Sequence, residues 1–311
     1  MKTTLKRKKN SLQRKADGQL LVMCLPTILK LFVFSYVPLV GIWMAFVKYI
    51  PRKGIFGSEF VGFDNFKFFF QSVDFKRIFS NTIYYNLVFI VFGLVISVAL
   101  ALLLFEIRSA TALKIYQTTY FLPYFISWVL VGLMLKALVG QNGSVNKLIE
   151  AFGGERVSFY MKPEPWRTIL PMVNIWKGAG VSAIIYYATL MNCDASLYEA
   201  ADLDGANRIQ KMWYISIPYL KTMICVNTIM SGANILRSDF GLFYYAANNA
   251  TASNLYETTD VIDTYIWRVL KALGEYKIGT AVGVVQGAIG LVLTLFANWI
   301  VRRIDEQSAL F

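Results

Sequence analysis

Six apolar stretches, each long enough to cross a lipid bilayer as a helix, constrain this chain more than any other feature. Crossing the hydrocarbon core takes roughly 20 mostly apolar residues, and lipid forces such segments to be helical because their backbone polar groups must be satisfied internally. The stretches lie at about 20–46, 82–104, 115–138, 169–191, 216–236 and 279–301. We therefore predict an all-α membrane protein with six transmembrane helices.

The composition agrees with this fold class. Of 311 residues, 56% are hydrophobic and 16% are charged, whereas about a quarter of a soluble domain is charged. The first stretch is longer than the apolar region of a signal peptide, which has about 7–15 residues. We expect it to stay in the membrane as an anchor helix.

Basic residues at the N-terminus predict the orientation. The first nineteen residues hold seven Lys and Arg against Asp17 alone, and such clusters stay on the cytoplasmic side. Six crossings then place both termini in the cytoplasm. This topology divides the chain into a basic tail, 1–19, and one membrane domain, 20–311. It places the loops 105–114 and 192–215 inside, and the segments 47–81, 139–168 and 237–278 outside.

The net charge of +12 needs no nucleic-acid partner. The tail supplies half of it, and a basic tail beside a membrane is attracted to anionic lipid headgroups. Lys30, Lys136 and Lys177 fall within predicted helices. Their long stems can carry the charge to the membrane surface or to a helix interface, and a contact with substrate is the alternative for each.

Several function classes lack their usual residues. None of the six stretches contains Asp or Glu, and the chain has no His, which disfavours a proton relay. No HExxH, GxSxG or GxxxxGK[ST] motif is present, so we expect neither an enzyme nor an ATP site in this chain. Three separated cysteines predict no metal site.

The loop 192–215 carries the most specific pattern. Ser196 followed by Glu199 fits a capping box at a helix start, and Gly205 ends the short helix. A short helix closed by glycine in the loop of an apolar protein is suited to docking a partner. A merely solvated loop is the alternative interpretation.

This loop resembles the EAA motif of permease subunits in binding-protein-dependent ABC importers. Both spacings of the motif agree, and Ile replaces the usual Leu at one position. The matching residues are Glu199, Ala200, Ala201, Gly205, Ile217 and Pro218.

The resemblance implies a type I importer permease in the bacterial cytoplasmic membrane. In that family the loop helix docks on one of two ABC ATPase subunits, which hold ATP and Mg²⁺. A second permease, expected here to form a heterodimer, and an extracellular solute-binding protein complete the assembly. Glu199 would pair with a basic group of the ATPase.

Further segments resemble the branch that imports oligosaccharides and polysaccharides. They are Gly62–Phe66, Asn81–Thr82, Ile175–Gly178, Ser238–Gly241, Asp263–Tyr265 and Ser308–Phe311. The resemblance therefore implies import of a saccharide by alternating access. A smaller solute such as a disaccharide or glycerol phosphate is the alternative, and a membrane enzyme or scaffold is a third hypothesis.

A saccharide pathway should offer amides, hydroxyls and aromatic rings. Residues four apart share a helix face, which groups several candidates on the third, fourth and fifth helices. They are Ser127, Trp128, Asn174, Trp176, Gly178, Asn227, Ser231 and Asn234. Small polar residues also hold transmembrane helices together, so helix packing is the alternative role for each.

Overall fold

The computed structural model describes residues 11–247 and 253–304, with side chains from residue 19 onward. Most of the basic tail and the segment Ser308–Phe311 lie outside the described residues. In the part that is described, thirteen α-helices are found: α1 (Ser11–Leu31), α2 (Asp64–Gln71), α3 (Val73–Phe105), α4 (Ala110–Phe125), α5 (Trp128–Val139), α6 (Ser144–Ala151), α7 (Trp166–Leu190), α8 (Ala195–Leu203), α9 (Arg208–Lys211), α10 (Ile217–Ala233), α11 (Tyr256–Thr259), α12 (Ile262–Lys271) and α13 (Tyr276–Ile304).

Shorter elements connect or extend these helices. Single π-helical turns occupy Phe32–Tyr36, Met212–Ser216 and Leu242–Ala246, and 3₁₀ segments occupy Val37–Phe46, Pro51–Lys53 and Ser253–Leu255. Two short strands, β1 (Val47–Lys48) and β2 (Glu59–Phe60), pair antiparallel with Val47 opposite Phe60. The described part of the chain is thus mostly helical, as the sequence predicts.

Five helical stretches among the described residues are long and apolar enough to cross a membrane. They are Gln19–Phe46, Val73–Phe105, Trp128–Ala151, Trp166–Leu190 and Tyr276–Ile304. The fifth predicted stretch, 216–236, corresponds to α10, which has 17 residues. Helical backbone continues N-terminally from α10 through the π-helical turn Met212–Ser216.

The third predicted stretch, 115–138, is interrupted. Helix α4 ends at Phe125, and α5 begins at Trp128 with Ser127 as its N-cap. The Ser127 hydroxyl accepts a hydrogen bond from the Leu130 backbone N–H at 3.3 Å, which satisfies one donor of the new helix. Two half-helices therefore stand where one continuous helix was expected.

The helices pack in a bundle around α3, α7 and α13. Helices α3 and α4 both pack on α7, and both α10 and α12 pack on α13. The innermost residues are large side chains such as Trp166, Tyr85 and Phe243. Helix α1, in contrast, exposes its apolar side chains from residue 19 onward.

A buried ionic cluster fixes the segment before α12. Asp260 is fully buried and pairs with Arg268 at 2.7 Å and with Arg77 at 3.3 Å. The Thr264 hydroxyl donates to the same carboxylate at 2.9 Å. Because Arg77 also pairs with Asp74, the cluster joins the start of α3 to α12.

Substitution of Gly180 by alanine is expected to destabilise the bundle by about 1–3 kcal/mol. A Cβ at Gly180 would lie 1.9 Å from the Tyr120 carbonyl oxygen, so α4 would have to move away from α7. At Gly178, two residues away, a Cβ would meet no atom within 4 Å. Gly178→Ala should therefore leave stability unchanged or raise it. Thermal unfolding in mild detergent measures the stability of the two variants. Equal unfolding midpoints for Gly180→Ala and Gly178→Ala would contradict the close contact.

Candidate coupling loop and translocation pathway

The loop between α7 and α10 contains α8, α9 and the π-helical turn Met212–Ser216, and α8 is its longest helix. The N-cap of α8 is Asp194, whose Oδ1 accepts a hydrogen bond from the Ser196 backbone N–H at 3.0 Å. This bond stabilises the carboxylate and lowers the pKa of Asp194. The expected N-cap at Ser196 is wrong, because the aspartate two residues earlier takes that role. A capping box forms instead at the next helix, between Asn207 and Gln210.

Gly205 follows the end of α8 and has a backbone conformation that favours glycine. Its φ is +76°, in the left-handed region that other residues enter at a cost. The Gly205 N–H bonds the Asp202 carbonyl at 3.1 Å, and the Ala206 N–H bonds the Ala201 carbonyl at 2.9 Å. These bonds satisfy the last carbonyls of α8. The sequence-based role of Gly205 as a helix terminator agrees with this geometry.

The outer face of α8 combines an acid, a small residue and apolar side chains. Glu199 and Ala200 are exposed, and Ala201 is half-buried. Leu203 is 91% exposed and Leu197 is 51% exposed. Leu203 was not among the sequence-based candidates, although an apolar residue two positions before the terminating glycine was a usable signal. Such a face has the composition of a small docking surface.

The inner face of α8 is tied to two transmembrane elements. The Tyr198 hydroxyl lies 3.0 Å from the Ser216 hydroxyl, in the π-helical turn before α10. The Tyr198 ring contacts Phe105 at the end of α3, with ring centroids 5.4 Å apart. Arg208, in the following helix, pairs with Glu106 at 3.7 Å. Burial raises the pKa of the Tyr198 hydroxyl. A movement of α8 would therefore pull on α3 and α10 together.

The last two residues of the motif begin α10. Ile217 packs against the buried cluster that includes Leu190 and Leu220. Pro218 is the second residue of α10, and because it lacks a backbone N–H it cannot continue the hydrogen bonds of the π-helical turn that precedes it. Both residues therefore anchor the loop to the bundle, while Glu199 and Ala200 remain outside.

A polar cavity of about 260 Å³ lies between α3, α7 and α10. The amide of Asn227 reaches the Tyr186 hydroxyl at 3.3 Å, and Ser97 donates to the Ala179 carbonyl at 3.2 Å. Four of the sequence-based pathway candidates meet in this cavity. Its polar wall comprises Ser97, Asn174, Ser182, Asn227, Thr228 and Ser231, with Gly178 beside them.

The other four candidates lie elsewhere. Ser127 caps α5, and the Trp128 indole donates to Asp239 at 2.7 Å. Trp176 is 44% exposed on another face of α7. Asn234 lines a separate cavity between α10 and α13, because α10 ends at the preceding residue and the helical spacing no longer applies. The predicted stripe on α10 is therefore divided at its C-terminal end.

The described residues contain no group of three or more Cys, Asp or Glu side chains placed to hold a metal ion. Cys24, Cys193 and Cys225 are free thiols. The polar wall of the cavity consists of amides and hydroxyls, which suit a hydrogen-bonding solute.

Residues 90–307 match the family described as the binding-protein-dependent transport system inner membrane component. The chain belongs to this family. It is thus a bacterial inner-membrane transport component, with the fold class that the EAA resemblance implied.

Two relatives of this transport component come from Bacillus subtilis (strain 168). It is 34% identical over 295 residues to the protein LplB, a match that covers 94% of this chain and 92% of LplB. It is 36% identical over 304 residues to the polygalacturonan/rhamnogalacturonan transport system permease protein YteP, a match that covers 97% and 94% of the two chains.

The transport component also resembles chains of a solved bacterial ABC transporter. That transporter is involved in the import of the acidic polysaccharide alginate. The TM-score is 0.83 at 36% identity, over 94% of this chain and 97% of the other. A second structure of a bacterial alginate ABC transporter, in complex with an alginate pentasaccharide-bound periplasmic protein, gives a TM-score of 0.83 at 36% identity over 93% and 96%. The helices of this chain therefore have the arrangement of an ABC importer permease.

Proposed function

We propose that this chain is the permease subunit of an ATP-driven importer that moves an oligosaccharide or polysaccharide fragment into the cytoplasm. The observation that carries the proposal is the outward face of α8, where Glu199, Ala200 and the 91% exposed Leu203 stand free of the bundle. The family membership and the saccharide-transporting relatives support it. The chain itself supplies no ATP site, so hydrolysis belongs to partner subunits.

Besides this chain and the saccharide, the proposed assembly has three kinds of component. A second permease completes the pathway, two ABC ATPases with ATP and Mg²⁺ bind the α8 loops, and an extracellular binding protein delivers the substrate. Both termini and the α8 loop lie in the cytoplasm. Closure of the ATPases moves the two loops together, and Tyr198 and Arg208 transmit that movement to α10 and α3. The result is a switch between inward-facing and outward-facing states.

The pathway includes the cavity between α3, α7 and α10. Its amides and hydroxyls can replace the hydrogen bonds that a sugar makes with water, and the nearby aromatic rings offer apolar faces to the sugar ring. Asn174 and Asn227 stand on facing helices of this cavity. They are therefore placed to bind one sugar unit from two sides.

The test is reconstitution of the complete complex in lipid vesicles. We expect ATP-dependent accumulation of an oligosaccharide delivered by its binding protein, with disaccharides and glycerol phosphate as competing substrates. ATP hydrolysis without accumulation of any saccharide, whichever binding protein is supplied, would reject the proposed function. Accumulation of glycerol phosphate alone would reject a saccharide as the transported substrate.

Filling the cavity is expected to reduce uptake several-fold. In Ser231→Leu the larger apolar side chain replaces a hydroxyl on the cavity wall. Thr222→Leu is the matched control, because Thr222 is exposed on the same helix and does not line the cavity. Uptake rates of the two reconstituted variants, at equal amounts of assembled complex, measure the effect. Equal rates would show that the cavity is outside the pathway.

A further inference from the structure

Lys177 lies near the middle of α7, where a charged side chain in a membrane protein is costly unless it has a partner or a function. It is the twelfth of the 25 residues in the helix. Its Nζ donates to the Tyr124 carbonyl at 2.5 Å and to the Pro123 carbonyl at 3.4 Å, both in the last turn of α4. Its side chain therefore does not run to the membrane surface. It stays in the bundle, at the break between α4 and α5.

Two aromatic rings stand beside this ammonium group. Lys177 Nζ lies over the Trp128 ring at 5.2 Å and over the Tyr124 ring at 5.3 Å from the centroids. Trp128 and Lys177 are half-buried, and Tyr124 is exposed. The cluster therefore remains open on one side. An indole face next to a cation is a surface that a sugar ring and its charged substituent can share.

The nearby carboxylate of Asp239 already accepts hydrogen bonds from other groups. Asp239 Oδ2 accepts the Trp128 indole N–H at 2.7 Å, and Oδ1 accepts the backbone N–H of Gly241 at 2.9 Å and of Leu242 at 3.4 Å. Within residues 19–247 and 253–304, no carboxylate forms an ion pair with Lys177. Asp239 thus holds the edge of the Trp128 ring and acts on Lys177 through space, without a direct ion pair.

The Trp128 ring is also fixed in position by a second contact. A Cβ at Gly241 would lie 2.2 Å from Trp128 Cδ1, so the ring rests directly on the backbone of the turn that follows Asp239. An ammonium group has three donors, and the two carbonyls of α4 take two of them. One N–H of Lys177 is left for a ligand beside a ring of fixed orientation.

We propose that Trp128 and Lys177 form a subsite for a sugar unit that bears a carboxylate, so that the transported saccharide is anionic. The sugar ring stacks on Trp128, and its carboxylate accepts the remaining N–H of Lys177. A carboxylate bound at this N–H would give Lys177 a directly paired counter-charge, which favours an acidic saccharide over a neutral one inside a membrane. The inference rests on the proposed function, since it names the chemical class of the imported saccharide.

The experiment compares two substrates of equal length in the reconstituted complex: a uronic-acid oligosaccharide and the same oligosaccharide with its carboxyl groups reduced to alcohols. In Lys177→Gln we expect the ratio of acidic to reduced uptake to fall by about tenfold or more, the size of a lost charge-assisted hydrogen bond. The glutamine amide can still donate to the Tyr124 carbonyl, which preserves the contact with α4. Lys177→Arg keeps the charge and should keep the preference.

Lys136→Gln is the matched control, because it removes another lysine charge from a predicted membrane helix at an exposed position outside the cluster. It should not change the uptake ratio. An equal loss of both substrates in Lys177→Gln, or no loss of either, would overturn the inference. Accumulation of only the reduced saccharide by the unmodified complex would overturn it while leaving the proposed function standing. Accumulation of neither would reject the proposed function itself.

Discussion

Replacement of Glu199 by lysine is expected to lower saccharide uptake by at least about tenfold, the effect of reversing one charge in a close interfacial pair. Glu199 is exposed on α8 and makes no ion pair with any other residue that the structure describes. Its carboxylate is therefore available to a basic group of the ATPase. A lysine at this position would repel that group. Uptake by the reconstituted complex and co-purification of the ATPase measure the loss.

Gly205→Asp should have an effect of similar size for two reasons. It places a side chain at φ +76°, which strains the turn that ends α8, and it adds a charge to the docking face. Gly153→Asp is the matched control, since Gly153 has φ +79° and a Cβ at either glycine would meet no atom within 4 Å. Backbone strain is therefore the same in both variants.

Glu155→Lys supplies the corresponding control for the charge reversal, because Glu155 is exposed in the loop between α6 and α7. We expect both control variants to retain the ATPase and most of the uptake. Retention of ATPase binding and uptake in Glu199→Lys and Gly205→Asp would show that α8 is not the coupling element. If Gly153→Asp and Glu155→Lys lost as much ATPase binding and uptake as the two α8 variants, backbone strain or the change of charge alone would explain the effect.

The second large effect is expected at Asp260, where alanine should destabilise the protein by about 3–5 kcal/mol. The substitution leaves Arg77 and Arg268 without the carboxylate that now pairs with both. It also removes one of the two acceptors of the Thr264 hydroxyl, the other being the Val261 carbonyl. Two guanidinium groups in a partly buried site then lack their shared counter-charge. The free energy of unfolding in mild detergent, or the amount of folded chain recovered from membranes, reports the loss.

Asp64→Ala provides the comparison for Asp260. Asp64 pairs with Lys67 at 3.9 Å, and both side chains are 72% exposed, so its removal should cost about 0–1 kcal/mol. A double variant, Asp260→Ala with Arg268→Met, should be less destabilised than the sum of its single changes, because one orphaned charge is removed. A cost at Asp260 no greater than that at Asp64 would contradict the role of the buried cluster.

Local sequence patterns predicted the parts of the structure that depend on short-range spacing. The apolar stretches predicted the helical class, and the i, i+4 pairs Asn174–Gly178 and Asn227–Ser231 do share a cavity. The break between α4 and α5 was missed because hydropathy stays high across Ile126 and Ser127. Its local signal was a serine that could cap a new helix.

Contacts between distant segments could not be predicted from one sequence. Asp260 and Arg77 are separated by 183 positions, and Trp128 and Asp239 by 111. No periodicity links such pairs, since the fold alone brings them together. The same limit explains why Asp239 was noted only as part of a motif, while its contact with the Trp128 indole emerged from the structure.

The break between α4 and α5 also determines which segments can move together. A Cβ at Gly132 would lie 2.6 Å from the Tyr245 carbonyl oxygen, so α5 and the turn Leu242–Ala246 are in backbone contact. Such close packing resists sliding. During a change between access states these two pieces should travel as one rigid body, with Ile126 and Ser127 as a hinge to α4. The segment that moves as one rigid body is then shorter than a complete transmembrane helix.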